Sequence, residues 1–279
     1  MSAKLRCFAA ASLLLLTSAS ASPQAGAAAS TSPPAAVQPP ENLDYQIEWR
    51  LIPAGVAHLT WAAVPNSPAN NSEIRLHLET AGLVSRLFRV SDDYTALLAQ
   101  NLCSQNTFLS AHEGNRNRET RVTFDAQSRK ASSIEKDLGK NTTTAHDVAT
   151  PACVHDVLGG LLVLRNLRLD PGKTAQIPIS DGKKFVQAKV ESQMREELKT
   201  PLGTFKTIRY EVFLFDNVLF RRSGHLHVWL TDDAERLPVQ LQVRLQITIG
   251  TITFRLWKPE AAKPEGPKSE NARPDSAKP

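Results

Sequence analysis

The sequence has no apolar run long enough to cross a membrane. Its longest, Cys7–Leu16, has about ten residues, whereas a helix that spans a bilayer core of about 30 Å needs about twenty. The run follows Lys4 and Arg6 and ends just before Ala19–Ala21, small residues of the kind that a signal peptidase recognises. We therefore expect a signal peptide over residues 1–21, cleaved after Ala21, with no lipidation and no transmembrane segment.

The chain also has little excess charge of either sign. It carries 33 basic and 28 acidic residues, a formal net charge of +5. Loss of Lys4 and Arg6 with the signal peptide leaves 31 basic residues against 28. No stripe of Lys and Arg alternates with aromatic residues, so the composition argues against a nucleic-acid partner. The expected location is the periplasm or the extracellular medium.

Cysteine is scarce, because only Cys103 and Cys153 remain once Cys7 has left with the signal peptide. In an oxidising compartment such a pair favours a structural disulfide. It would close a loop of about 50 residues and contribute roughly 3–4 kcal/mol on the chain-entropy model. The alternative is a pair of buried free thiols.

The sequence lacks the common catalytic signatures: a G-x-S-x-G elbow, HExxH, a phosphate-binding loop and Cys-x-x-Cys. We therefore assign no catalytic residue and expect no cofactor. His225 and His227 would share one strand face about 6.5–7 Å apart. No third ligand is evident nearby, so we expect an exposed polar and aromatic face that continues to Trp229, rather than a metal site.

Two pairs of carboxylates have structural explanations. Asp232-Asp233 lies between two predicted strands, where aspartate bonds the backbone of a turn. Glu196-Glu197 lies within a predicted strand, which directs neighbouring side chains to opposite faces. Neither pair is expected to form an acid/base dyad.

Low-complexity segments flank a central region. Residues 22–41 and 259–279 are rich in Pro and Ala, with Ser in the first and Lys and Glu in the second. Such segments do not bury a core, so we expect a disordered linker and a disordered tail. Residues 42–258 then form one β-rich domain.

Strict alternation of apolar and polar residues dominates this domain. Val239, Leu241, Val243 and Leu245 are separated by polar residues, so the leucines and valines should point inward while Gln240, Gln242 and Arg244 face solvent. Similar alternation predicts strands near 43–51, 56–64, 74–78, 94–100, 107–112, 119–125, 184–198, 204–214, 219–230 and 252–257. One buried face per strand indicates antiparallel pairing.

One helix interrupts the strands. His155-Asp156 can cap the run Val157–Leu164, which ends before Pro171-Gly172. A second short turn is expected at Leu83–Phe88. The fold class is therefore all-β, with a curved antiparallel sheet that forms a barrel or half-barrel around one short helix. A β-sandwich is the alternative.

Several segments together carry a family resemblance. They are Leu43-Asp44-Tyr45, Glu79–Leu83, Leu87–Val90, Asp156-Val157-Leu158, Thr200–Lys206, Trp229–Asp233 and Arg236–Val239. In these the chain resembles an exported bacterial family known as domain of unknown function 3108. The resemblance implies export and a β-rich domain, and it brings no catalytic residues. Gly159-Gly160 departs from the aromatic residues that the family tends to have after this leucine.

The leading functional hypothesis is a non-enzymatic exported or envelope-associated module that binds an apolar ligand such as an acyl chain. One alternative is an envelope enzyme or polysaccharide-processing accessory with an unrecognised site in its loops. Another is a structural interaction protein whose core is filled. The expected small-molecule partner is a lipid or a glycan, and the residues do not define the oligomeric state. An apolar cavity of several hundred Å³ would favour ligand binding.

Overall fold

The computed structural model describes residues 38–67, 69–246 and 250–258. The predicted signal peptide, most of the predicted linker and the predicted tail lie outside these residues. The first strand begins at Glu41, one residue before the predicted start of the domain.

The described residues form fourteen strands and two helices. The strands are β1 Glu41–Trp49, β2 Ile52–Ala63, β3 Ser72–Thr80, β4 Val90–Leu98, β5 Ser104–Glu113, β6 Arg116–Asp125, β7 Lys130–Asp137, β8 Thr142–Ala149, β9 Thr174–Ser180, β10 Phe185–Thr200, β11 Gly203–Val212, β12 Gly224–Thr231, β13 Pro238–Leu245 and β14 Thr251–Trp257. The helices are α1 Gly82–Leu87 and α2 Val157–Leu167.

All fourteen strands belong to one antiparallel sheet. Its order is β8-β7-β6-β5-β4-β3-β2-β1-β14-β13-β12-β11-β10-β9, so two meanders meet where β1 pairs with β14. Strands β8 and β9 are the edges and form no ladder with each other. The segment that follows β8 forms one bridge with β9, from His155 to Ile179. The predicted antiparallel fold is confirmed, and the sheet is an open barrel-like one.

The turn between β9 and β10 shows how far the sheet curls. Lys183 in this turn donates to Glu135 of β7 at 2.7 Å. A Cβ added to Gly182 would lie 2.7 Å from a methyl carbon of Val122 on β6. Glycine is therefore needed here, both for its φ of +83° and for this close approach.

Helix α2 lies on the face of the sheet that we call the inner face. Leu162 belongs to a core cluster with side chains of β1–β4, and Leu164 belongs to a second cluster with side chains of β9–β12. One side of a short helix thus buries apolar surface from both meanders, which accounts for its stability despite two internal glycines.

The predicted inward and outward faces of β13 are confirmed, but the predicted exposure of Gln240 is wrong. Leu241 packs against both core clusters, and Arg244 is exposed, as predicted. Gln240, however, is only 5% exposed. Gln240 lies on the outer face, where neighbouring side chains cover it. Its side-chain oxygen accepts a hydrogen bond from Arg255 at 3.2 Å, so this buried polar group has a partner.

Three strands and one helix were not predicted as such. Strands β7, β8 and β9 have no counterpart among the predicted segments, and the predicted turn near Leu83 is the one-and-a-half-turn helix α1. The predicted strand over 219–230 starts only at Gly224, because the preceding residues form the loop between β11 and β12.

Candidate functional site: a cavity between the sheet and helix α2

The N-terminus of α2 is fixed to the sheet through one buried carboxylate. Asp156 caps the helix as predicted, and its side chain accepts hydrogen bonds from the backbone N–H groups of Leu158 at 3.0 Å and Gly159 at 3.3 Å. The carboxylate also accepts hydrogen bonds from the hydroxyl groups of Tyr94 at 2.8 Å and Ser104 at 2.6 Å. Four donors therefore satisfy a side chain that is 3% exposed.

The bonds to Tyr94 and Ser104 join the helix to strands β4 and β5. Ser104 Oγ also accepts the backbone N–H of Asp156 at 2.7 Å, so the two residues bond reciprocally. Burial, together with the neighbouring carboxylate, raises the pKa of Tyr94 well above its usual range. The phenol consequently stays protonated and remains a donor to Asp156 at physiological pH.

The two glycines that depart from the family pattern let the helix approach the sheet on both sides. A Cβ on Gly159 would lie 2.8 Å from Asp156 Oδ1 and 3.4 Å from Leu98 Cδ2. A Cβ on Gly160 would lie 2.9 Å from Ile179 Cδ1. The glycines reduce helix propensity, and in exchange they permit packing closer than any side chain allows.

A covalent link and a histidine hold the chain just before the helix. Cys103 and Cys153 form a disulfide with 5.1 Å between their Cα atoms. His155 Nδ1 lies 2.7 Å from the carbonyl oxygen of Leu102, and burial lowers the pKa of this histidine. The neutral ring donates to that carbonyl, so the segment is tied to the turn between β4 and β5.

Beside this fixed helix end lies a cavity of about 370 Å³. It is bounded by strands β3–β6, by the first turn of α2 and by the loop between β11 and β12. Its apolar wall consists of Leu76, Leu78, Leu109, Val122, Val157, Leu158 and Phe220. We call this space the helix cavity. Its volume is within the usual range for small-molecule sites, and its lining is mainly apolar.

Polar groups also line the helix cavity. They are Asp92, Tyr94, Thr107, Thr120, Asp156, Ser180 and Asp181. Burial raises the pKa of Asp92, although the backbone N–H of His112, 2.9 Å from its Oδ1, opposes this shift. The site therefore combines a large apolar wall with three aspartates and four hydroxyl-bearing residues.

A smaller apolar cavity lies on the other side of α2. It has a volume of about 60 Å³ and shares Val157 and Leu158 with the helix cavity. This space holds about two water volumes. The helix thus fills the β9–β13 side of the sheet and leaves the β3–β6 side open.

The histidines of β12 share a face with Trp229, as predicted, but that face is not simply exposed. His225 Nδ1 lies 2.7 Å from Glu211 Oε1, and His227 Nε2 lies 3.9 Å from the other oxygen of the same carboxylate. Trp229 is buried, and its indole N–H donates to Glu196 at 2.8 Å. The described residues contain no cluster of three or more His, Cys, Asp or Glu arranged to hold a metal ion.

The carboxylate pairs have local partners. Asp233 Oδ1 accepts the backbone N–H groups of Glu235 and Arg236, each at 3.0 Å, which is turn chemistry. Asp232 pairs with Arg195 at 2.8 Å. Glu196 and Glu197 are paired with Thr207 and Lys206 on the neighbouring strand, and they point to opposite faces.

Sequence reasoning identified the helix cap and missed the cavity. The Asp156 cap and the start of the apolar run signalled the helix, whereas the inward side chains of β3–β6 look the same for a filled or an empty interior. Among the described residues, the two helices are too short to cross a membrane.

These features define a class: an open, barrel-like antiparallel sheet that holds a short helix and a mainly apolar cavity on its inner face. The model of the family "Protein of unknown function (DUF3108)" matches residues 44–256. The chain belongs to this family, which confirms the resemblance drawn from the sequence. No curated protein matches the chain.

Two solved structures resemble the chain. One is the beta-barrel-like protein of domain of unknown function DUF1849 from Brucella abortus, with a TM-score of 0.52, 9% identity, and coverage of 78% of this chain and 96% of the other. The other is a Bacteroides fragilis protein with a YmcC-like fold, with a TM-score of 0.34, 11% identity, and coverage of 79% and 95%. At this identity, the likeness to the Brucella protein concerns the fold alone.

Proposed function

We propose that this protein is an exported, non-enzymatic carrier that binds an apolar ligand, such as an acyl chain, in the helix cavity. The observation that supports it is the cavity itself: about 370 Å³ beside a helix end that three hydrogen bonds to Tyr94 and Ser104, and a nearby disulfide, hold to the sheet. A filled core would leave no such space, so the cavity argues against a purely structural role.

The chemistry of the cavity favours an acyl chain without a free carboxylate. The wall is aliphatic and aromatic, which suits a hydrocarbon chain, and each buried methylene contributes about 0.8 kcal/mol. Asp92 on β4 and Asp181 in the β9–β10 turn also line the cavity. Their carboxyl groups disfavour an anionic head group and accept hydrogen bonds from a hydroxyl or amide head group.

Export is supported by two independent features. The N-terminal segment has the order of charges, apolar residues and small residues typical of a signal peptide. The disulfide between Cys103 and Cys153 is of a kind that persists in oxidising compartments. We expect mature protein beginning at Ser22 in the periplasm, and N-terminal sequencing that finds Met1 retained would contradict this.

The binding test uses N-phenyl-1-naphthylamine, a neutral apolar fluorophore, and its displacement by a series of straight-chain alcohols. Because a buried methylene is worth about 0.8 kcal/mol, the displacement affinity should rise roughly fourfold per methylene until the cavity is full. No probe binding, or affinity independent of chain length, would refute the carrier.

Two neighbouring residues on opposite faces of β5 supply a matched pair of variants. Leu109→Trp adds bulk inside the helix cavity and should abolish probe binding. Phe108→Trp changes the outer face, where Arg121 lies over the ring at 4.2 Å, and should leave binding unchanged. If the two substitutions weakened probe binding equally, the helix cavity would not be the binding site.

A glycan is the second candidate ligand, at a different place. A cleft of about 720 Å³ lies beside the C-terminal half of α2, and its lining is rich in carboxamides: Gln38, Asn70, Asn71, Gln100, Asn101 and Asn166. Carboxamides both donate and accept, which suits sugar hydroxyls. Asn70→Ala should then weaken binding of a soluble peptidoglycan fragment and leave the alcohol series unaffected.

A further inference from the structure

The connections between strands divide into two sets because every pairing is antiparallel. One end of the sheet, which we call the α1 end, carries seven connections. They are residues 50–51, 81–89, 114–115, 138–141, 181–184 and 213–223, and the connection from β13 to β14, of which residues 246 and 250 are described. The other end carries the remaining connections, including those that lead into and out of α2. Helix α1 therefore shares an end with the β9–β10 turn, in which Lys183 donates to Glu135 of β7.

The charge of the two ends differs sharply. The connections at the α1 end contain eight basic and two acidic residues, a net charge of +6. Those at the other end, counted with helix α2 as the first set is with α1, contain five basic and five acidic residues, a net charge of 0. Lys140 and Lys183 pair with strand carboxylates. Arg86 and Arg89 form no ion pair with any residue that the structure describes.

Most of the exposed large apolar side chains lie at the same end. Leu87 is 70% exposed and Phe88 is 54% exposed. Seven such residues belong to the α1 end or the adjoining strand start: Leu51, Ile52, Leu83, Leu87, Phe88, Leu138 and Phe220. At the other end, the exposed large apolar side chain is Leu202. The concentration at one end sets these residues apart from the single exposed apolar residues found on any protein.

The apolar and basic groups are interleaved and held in place. Arg86 and Arg89 flank Leu87-Phe88 in the chain, and the backbone carbonyl of Arg89 accepts the N–H of Gly114 at 2.7 Å. A Cβ on Gly114 would lie 2.8 Å from the ring of Phe88. The turn between β5 and β6 thus supports α1, so its leucines are presented by a packed segment.

We propose that the α1 end docks on an anionic bilayer surface, with its leucines and Phe88 in the interface and its arginines on the lipid phosphates. Apolar groups interleaved with arginine and lysine are the chemistry that such an interface takes up. The proposal extends the carrier function, because Leu78, Asp92, Asp181 and Phe220 line the helix cavity at this same end. Docking places the cavity beside a source of acyl chains.

The test is co-sedimentation of the purified protein with vesicles of phosphatidylglycerol and phosphatidylcholine at low ionic strength. Binding should exceed that to pure phosphatidylcholine and should weaken as salt is added. Arg86→Gln with Arg89→Gln should reduce the partition coefficient about 30-fold, since each basic residue contributes roughly a factor of five. Leu83→Ser with Leu87→Ser should reduce it by roughly tenfold per leucine.

Controls come from the opposite end of the sheet. Leu202→Ser and Arg129→Gln remove the same chemical groups there and should leave vesicle binding unchanged. Absence of vesicle binding, or equal losses at both ends, overturns the docking proposal. So does a self-association, measured by sedimentation velocity, that the α1-end substitutions abolish, because the surface would then bind a second copy.

The two experiments test the carrier function and the docking proposal separately. Probe binding is measured without vesicles, and the α1-end variants should retain it because they lie outside the wall of the helix cavity. Vesicle binding without probe binding refutes the carrier alone. Probe binding without vesicle binding refutes the docking alone.

Discussion

Asp156 connects the helix to the sheet, so Asp156→Ala is the substitution that most directly tests this architecture. The carboxylate accepts two backbone N–H groups of α2 and the hydroxyl groups of Tyr94 and Ser104. Alanine removes the helix cap and leaves the two hydroxyl groups without their acceptor in a largely buried place.

The expected loss follows from these bonds. Loss of an N-cap costs about 1 kcal/mol. A hydrogen bond to a charged group is worth about 1.5–3 kcal/mol, and the protein has two of them here. Because the hydroxyl groups can partly relax, we expect Asp156→Ala to lower the free energy of unfolding by about 3–5 kcal/mol.

Urea denaturation followed by circular dichroism measures this loss, with Tyr94→Phe and the double variant completing a cycle. The coupling between Asp156 and Tyr94 should be at least about 0.5 kcal/mol. The matched control is Asp232→Ala, which breaks a partly exposed pair with Arg195 and should cost no more than about 1 kcal/mol. A loss below about 1 kcal/mol for Asp156→Ala, or additive effects with Tyr94→Phe, would refute the reasoning.

Three further predictions concern the packing of β13, the disulfide and the protonation of His155. Leu241→Ala should lower the free energy of unfolding by about 2 kcal/mol, the low end of the usual range, because the residue already borders a small cavity. Gln242→Ala should change it by no more than about 0.5 kcal/mol. Urea denaturation compares the two variants, and equal losses would contradict the assigned faces. Thiol counting under denaturing, non-reducing conditions should find Cys103 and Cys153 bonded, and two free thiols would contradict this. Burial lowers the pKa of His155 in the folded state, so stability should be complete above about pH 6.5 and decline as the pH falls below it, because the unfolded chain takes up the proton first. His155→Asn should flatten this dependence in melts from pH 5 to 7, and an unchanged slope would exclude His155 as its source.

Sequence periodicity was sufficient to predict a strand where one face of that strand carries large apolar side chains. Strands β1, β13 and β14 alternate strictly, and they pair with one another near the centre of the sheet. The helix was equally readable, since Asp156 supplies a cap and the following leucines have helical spacing. These local signals agree with the global fold, so the class of fold followed from them.

The missed strands lack those side chains. On β7 the buried residues are Ala131 and Ser133, which carry little hydrophobic signal. Strand β8 is a polar edge strand, exposed along nearly its whole length. Strand β9 contains Pro178, which argues against a central strand but is tolerated at an edge, where one side has no ladder to complete. Pairing with better-defined neighbours, rather than their own composition, fixes these segments.

The position of the cavity depends on contacts that no periodicity encodes. Gly160 brings α2 to within van der Waals contact of Ile179, and the space left on that side is about 60 Å³. On the other side, Val157 and Leu158 of the first helical turn border strands β3–β6, and about 370 Å³ remains. A short helix covers one meander well and the other poorly. On the proposed carrier function, an apolar ligand would complete the core on the β3–β6 side. A variant that enlarges only the smaller cavity, such as Leu241→Ala, should then lower stability and leave probe affinity unchanged.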